Sequence, residues 1–176
     1  MADRIVELIS QDKVEARIRE LGRKISEDYA GRQIRLVGIL KGASFFMCDL
    51  AKQITVPVTI DFMQVSSYGG QTESTGTVKI RKDLDESIEG LDVIIVEDIV
   101  DSGRTLAFLG DFLKSKGAAS IRYCTLLDKP ERRVVDLKAD YAGFEIPDRF
   151  VVGYGMDYDQ KYRNLPYIGV VEQTNE

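Results

Sequence analysis

The residues most able to do chemistry stand close together in VIIVEDIVDSGRT, residues 93–105. An apolar run leads into Glu97-Asp98, then Asp101, then the small-residue turn Ser102-Gly103-Arg104-Thr105. Two adjacent carboxylates at the end of a buried strand repel each other, so their placement suggests a bound group that needs them. Open α/β sheets bind ligands in the crevice beyond the carboxyl ends of their strands. A turn from Asp101 into a helix start offers backbone N–H groups, the hydroxyls of Ser102 and Thr105, and a favourable helix dipole. That is an anion seat suited to a phosphate monoester. The acids beside it suit sugar hydroxyls or a hydrated Mg²⁺, so the cluster as a whole fits a phosphorylated sugar. A capping Asp with solvated neighbours is the plainer reading, but three acids and a small-residue turn exceed what a cap needs. Neither GxxxxGK[ST] nor GxGxxG occurs, which weighs against nucleoside triphosphates and dinucleotides.

The elements that must position these residues follow from periodicity. SQDKVEARIRELGRKISEDYAG spaces Val14, Ile18, Leu21, Ile25 and Tyr29 as one helix face, with Ser10 to cap it and Gly31 to end it. IRLVGIL (34–40) reads as a buried strand leading through Lys41-Gly42 into an apolar helical stretch, and PVTIDFMQV (57–65) as another strand. SSYGGQTESTGTV (66–78) is nearly free of apolar residues and long for a connection, which predicts a lid or disordered loop. TVKIRKD closes it as a strand. LDVIIVED is the most apolar strand, and RTLAFLGDFLKSKG a helix with Leu106, Leu109, Phe112 and Leu113 on one face and Gly117 at its end. SIRYCTLLDK and short strands near 141–144, 150–154 and 167–171 finish the pattern. Alternating strands and helices with near-continuous Val/Ile/Leu strands predict an α/β fold with a mostly parallel sheet covered by helices. The 176 residues suit one domain, 1–176.

Composition narrows the chemistry further. The chain has no histidine, which removes Ser-His and Cys-His catalysis and His-ligated zinc; proton transfer falls to Asp, Glu, Lys or Tyr. Lys+Arg 24 against Asp+Glu 29 gives a net charge of −5, which argues against nonspecific nucleic-acid or membrane binding. The first residues carry charges where a signal peptide has its apolar segment, and no apolar run approaches the roughly 20 residues that span a bilayer. Cys48 and Cys124 sit in apolar segments and read as reduced, buried core thiols, which predicts a cytoplasmic location.

VIIVEDIVDSGRT closely resembles the 5-phosphoribosyl-1-pyrophosphate (PRPP) motif of the type I phosphoribosyltransferases. LKG at 40–42, SSY at 66–68, Lys129 and FEIPDRFVVGYGMDYDQKYRNLP at 144–166 narrow the resemblance to the hypoxanthine-guanine phosphoribosyltransferases, in the right order along nearly the whole chain. The resemblance implies the type I fold, with a small hood from the chain ends and a mobile active-site loop. It also implies transfer of the phosphoribosyl group from PRPP to hypoxanthine or guanine in purine salvage, giving IMP or GMP and pyrophosphate. Mg²⁺ is the implied cofactor, and a homodimer or homotetramer the implied assembly.

The roles it implies are specific. Mg²⁺, Lys41 and Arg163 would meet the pyrophosphate, with Gly42 beside them, and the peptide before Lys41 is often cis in the family. Glu97 and Asp98 would hold the ribose side. Asp101, Ser102, Gly103, Arg104 and Thr105 would seat the 5′-phosphate. Relatives often carry Thr and Lys where Ser102 and Arg104 stand, changes that keep a hydroxyl and a charge. Asp101 would take the proton from purine N7, a role to which the missing histidines are congenial. Phe150 would stack on the base, Lys129 would donate to its 6-oxo group, and backbone at Val151 and Asp157 would meet the far edge. Taken alone, Phe150 would read as core, because Val151-Val152 follow it. Glu97, Asp98 and Asp157 are the implied metal ligands, and Ser67-Tyr68 the implied contacts of the closing loop. Arg133 matches a cation near the pyrophosphate.

Two other readings compete. A regulatory protein that keeps the fold and binds nucleic acid predicts a basic face or an added domain. A sibling transferase acting on adenine or a pyrimidine is opposed by Lys129 and the 144–166 block, which do not separate hypoxanthine, guanine and xanthine.

Overall fold

The runs Ile34–Ile39 (β2) and Asp92–Val100 (β5) are apolar on both faces because both faces are covered. Ile34, Leu36, Ile94 and Val96 point into one buried layer, while Val37, Ile39, Val93 and Ile95 point into the other. The structure, a computed structural model, describes residues 4–67 and 78–172. Around the central pair stand Val58–Ser67 (β3), Val78–Lys82 (β4), Ser120–Asp128 (β6) and Tyr141–Glu145 (β7), in the order β4-β3-β2-β5-β6-β7. Only β4 runs antiparallel to its neighbour. Gln11–Asp28 (α1) and Ser44–Gln53 (α2) cover one face, and Arg104–Ser115 (α3) covers the other.

Helix α1 follows its sequence pattern closely. Val14, Ile18, Leu21 and Ile25 are buried, and Lys13 N donates to the Ser10 hydroxyl at the N-cap. Ser10→Ala is expected to lower stability by about 1 kcal/mol, a fall of roughly 2–4 °C in Tm by calorimetry.

A second, three-stranded sheet lies apart from the first, in the order Arg4–Ile9 (β1), Ile168–Glu172 (β9), Val151–Val152 (β8). It is antiparallel throughout, with Arg4 opposite Glu172 and Val151 opposite Val170. This is the hood expected from the resemblance. Its first strand was not foreseen: RIVELI does not alternate cleanly, and its partner lies more than 150 residues away.

Three other expectations change. Ser66, Ser67 and Val78 belong to paired strands, Ser67 opposite Val78, because the β3–β4 ladder runs further than the apolar residues do. Tyr68 lies outside the described residues, as does the rest of the predicted loop between them. Strand β5 does not stop at the acids but continues through Val100. Cys48 is exposed, because α2 turns Phe46, Met47 and Leu50 inward and leaves the thiol on its outer face; Cys124 is buried as expected. No helix among the described residues is long and apolar enough to cross a membrane.

Candidate active site

Strand β2 pairs with β5 only as far as Gly38 opposite Val96. Beyond that point β5 keeps β6 alone, with Glu97 opposite Thr125 and Val100 opposite Asp128. The two acids therefore emerge where the sheet opens a notch on one side. Glu97 is 9% exposed, and burial together with the adjoining Asp98 charge holds its carboxyl well above the usual carboxylate range. Asp98 is raised as well, chiefly by burial, against the opposing charge of Arg163. Two neighbouring acids, one buried and one half-buried, with raised proton affinity form a donor pair of the kind that a hard cation or a sugar diol satisfies.

Gly42 is the residue that Asp98 requires. A β-carbon there would stand 2.0 Å from Asp98 Oδ2. Gly42→Ala is therefore expected to displace the carboxylate and lower kcat/KM about tenfold or more by steady-state assay, with the fold retained on circular dichroism. The same loop is pressed from the hood side: a β-carbon on Gly155, at φ 97°, would meet the Gly42 carbonyl oxygen at 2.1 Å. The Leu40-Lys41 peptide is cis.

Lys41 and Arg163 converge on a residue that sequence reasoning passed over. Lys41 Nζ donates to Gln160 Oε1 at 3.3 Å, and Arg163 Nη2 donates to the same oxygen at 3.2 Å. Arg163 also donates to the Gly155 carbonyl at 2.7 Å and pairs with Asp157 at 3.2 Å. Two cations sharing one neutral amide oxygen are a place for a polyanion to take over.

At the end of β5, Asp101, Ser102 and Gly103 turn the chain into α3. Gly103 sits at φ 82° at the helix N-cap, a conformation in which glycine has no steric penalty. Ser102 Oγ accepts from Arg104 N at 3.3 Å, and Thr105 lies in the first helical turn. Helix α3 starts at this turn, so its dipole favours an anion there. Arg133, matched by resemblance to a cation near the pyrophosphate, braces the turn. It donates to the Asp101 carbonyl at 3.2 Å, to the Leu137 carbonyl and to Asp128, and its side chain is 15% exposed. Val134 N adds a bond to the Ser102 carbonyl at 3.0 Å. These bonds use three of the guanidinium's five N–H groups and hold the turn.

Lys129 follows β6 and is buried, with its amide donating to the Val100 carbonyl at 3.0 Å. Its ammonium lies 3.7 Å from Asp101 Oδ1 and 3.6 Å from Asp148 Oδ1. Phe150 is 55% exposed, so it is not a core residue, and its ring meets Tyr158 edge-on at 5.5 Å. Val151 is buried in the hood, which leaves its backbone as its means of contact. Tyr158 and Asp148 went unread in the sequence. The adjacent aromatic and acid in DRF and MDYDQ were the available signals.

Lys129 and Asp101 thus come together, as do Lys41 and Arg163, and Asp98 and Gly42. Asp157 does not join Glu97 and Asp98: among the described residues no group of three or more Asp, Glu, Cys or His side chains gathers as a metal cluster, and Asp157 is paired with Arg163. Ser67 is placed by its backbone in β3 alone.

The phosphoribosyl transferase domain family matches residues 7–159. The chain is 53% identical to the hypoxanthine-guanine phosphoribosyltransferase of Streptococcus thermophilus over 94% of its length and 92% of that protein's. It is 54% identical to the bifunctional protein TilS/HprT of Listeria monocytogenes, of which it spans only about a quarter, 26%. A crystal structure of a hypoxanthine-guanine phosphoribosyltransferase from Bacillus anthracis superposes with a TM-score of 0.93 at 50% identity, covering 96% of this chain and 100% of that one. The chain belongs to the phosphoribosyltransferase family.

Proposed function

We propose that the protein is a purine-salvage enzyme that transfers the 5-phosphoribosyl group from PRPP to hypoxanthine or guanine, releasing pyrophosphate. The observation that carries the base assignment is the buried Lys129 ammonium beside Asp101, the residue that opens the phosphate turn. A lysine is a donor only, so it suits a 6-oxo group and disfavours adenine's 6-amino group. The 5′-phosphate would sit on the amides of the Ser102–Thr105 turn, beside Arg104. The ribose hydroxyls would bond to Glu97 and Asp98. Lys41 and Arg163 would leave the Gln160 amide to clamp the pyrophosphate, neutralising charge as it departs. Asp101 would take the N7 proton while N9 attacks the anomeric carbon, and Phe150 would hold the purine plane. The backbone at Val151 and Asp157 would meet its far edge.

Glu97 and Asp98 would hold Mg²⁺ together with substrate oxygens, and the ion would supply positive charge to the leaving diphosphate. Ser67-Tyr68 would carry the contacts that close the site against water. The expected setting is the cytoplasm. Self-association through the outer face of α2, where Phe45 and Cys48 are exposed, is the expected assembly.

The test is pyrophosphate release with PRPP and Mg²⁺ across hypoxanthine, guanine, xanthine and adenine. Turnover of hypoxanthine and guanine, with adenine lower by about 10²-fold or more, is expected. No release with any base, or adenine as the preferred one, would overturn the assignment.

A further inference from the structure

Lys129 has two carboxylate neighbours where its proposed chemistry requires one. Asp101 Oδ1 lies 3.7 Å from Nζ and Asp148 Oδ1 lies 3.6 Å from it, on nearly equal terms. A lone ammonium–carboxylate pair closes to a contact of about 2.8 Å. Neither distance does so. Asp148 is itself held from behind, because Arg132 Nη1 donates to its other oxygen at 3.1 Å. Both segments are anchored to the same strand ends, Lys129 N on the Val100 carbonyl and Ile146 N on the Asp128 carbonyl at 2.9 Å. Both segments are thus anchored at the ends of β5 and β6, and Arg132 adds a tie on the Asp148 side chain.

We propose that Asp148, fixed by Arg132, is a positioning residue for Lys129: it holds the ammonium off a contact pair with Asp101. The inference rests on the purine-transfer reading above. An ammonium has three N–H groups in a tetrahedral arrangement. With one hydrogen directed to Asp148 and one to Asp101, the third is directed out of the pair, where a purine 6-oxo group would accept it. Without Asp148, opposite charges in a site with Lys129 only 9% exposed would collapse together. Lys129 would then turn away from the purine, and the Asp101 oxygen that accepts the N7 proton would be covered. Asp148 touches no reacting atom in this scheme. It acts through Lys129, and Arg132 acts through it.

The test compares wild type, Asp148→Asn, Asp148→Glu, Lys129→Met and the Lys129→Met/Asp148→Asn pair, with hypoxanthine and PRPP varied in turn and thermal melting in parallel. Asp148→Asn is expected to raise KM for hypoxanthine and lower kcat, each by about five- to tenfold, with KM for PRPP within about twofold of wild type. Asp148→Glu is expected to recover most of the loss. In the Lys129→Met background the Asn substitution is expected to add nothing, since the residue it positions is gone. Unchanged hypoxanthine kinetics in Asp148→Asn would overturn the proposal, as would an equal loss in Asp148→Glu or full additivity with Lys129→Met. A lowered Tm with PRPP and hypoxanthine affected alike would reduce Asp148 to a fold residue and overturn it too. If the wild type itself shows no PRPP-dependent turnover, the enzyme assignment fails, which is a separate result from a silent Asp148.

Discussion

Asp101→Asn is expected to lower kcat by about 10²-fold or more while PRPP still binds. The substitution keeps the size and shape of the side chain and removes its ability to accept a proton. Asp101 is exposed to the opening, and its carbonyl is gripped by Arg133, so the turn does not depend on its carboxylate for shape. The phosphate amides of α3 should survive the change. A carboxylate is a weak base toward a purine nitrogen, so much of the rate must come from holding it against N7, with the Lys129 ammonium 3.7 Å away. Steady-state kcat with hypoxanthine, alongside calorimetric titration of PRPP, separates the two properties. Near-wild-type turnover would exclude Asp101 as the base.

Lys129→Met is expected to lower kcat/KM for hypoxanthine by about 10²- to 10³-fold, because a buried charged donor is lost and its partners remain. Adenine, which gains nothing from that donor, should lose far less, so the preference between the two bases should narrow by a similar factor. Stability should change little, since Asp101 and Asp148 are about half exposed and can turn to water. The readout is kcat/KM for both bases under the same PRPP concentration. A uniform loss for both would mean that Lys129 serves the sugar rather than the purine.

How much of this was legible in the sequence depended on distance along the chain. The acids, the phosphate turn and helix α3 occupy consecutive residues, so local pattern carries them: an apolar strand, two acids, a turn with Gly103, an amphipathic helix. Burial of Lys129 and exposure of Phe150 needed the fold, because DKPER and DRFVV look alike whether solvated or packed. The same holds for contacts between remote segments. Gln160 receiving Lys41, Arg133 gripping the Asp101 carbonyl, and Gly155 pressed on the Gly42 carbonyl join residues from 32 to 119 positions apart. Cys48 shows the converse: its apolar neighbours suggested burial, yet one position on a helix decides which face a side chain takes.

The hood has a consequence for the order in which the protein is made. Its middle strand, Ile168–Glu172, pairs with both Arg4–Ile9 and Val151–Val152, so its sheet cannot form until nearly the whole described chain has been translated. The acids, the phosphate turn and α3 are complete by Ser115. At 5–20 residues per second, the stretch from Ser115 to Glu172 takes about 3–11 s. During that interval a nascent chain would carry the anion seat without the strand that frames Phe150. A ribosome stalled in this window would leave a chain with the acids and α3 but without the completed hood.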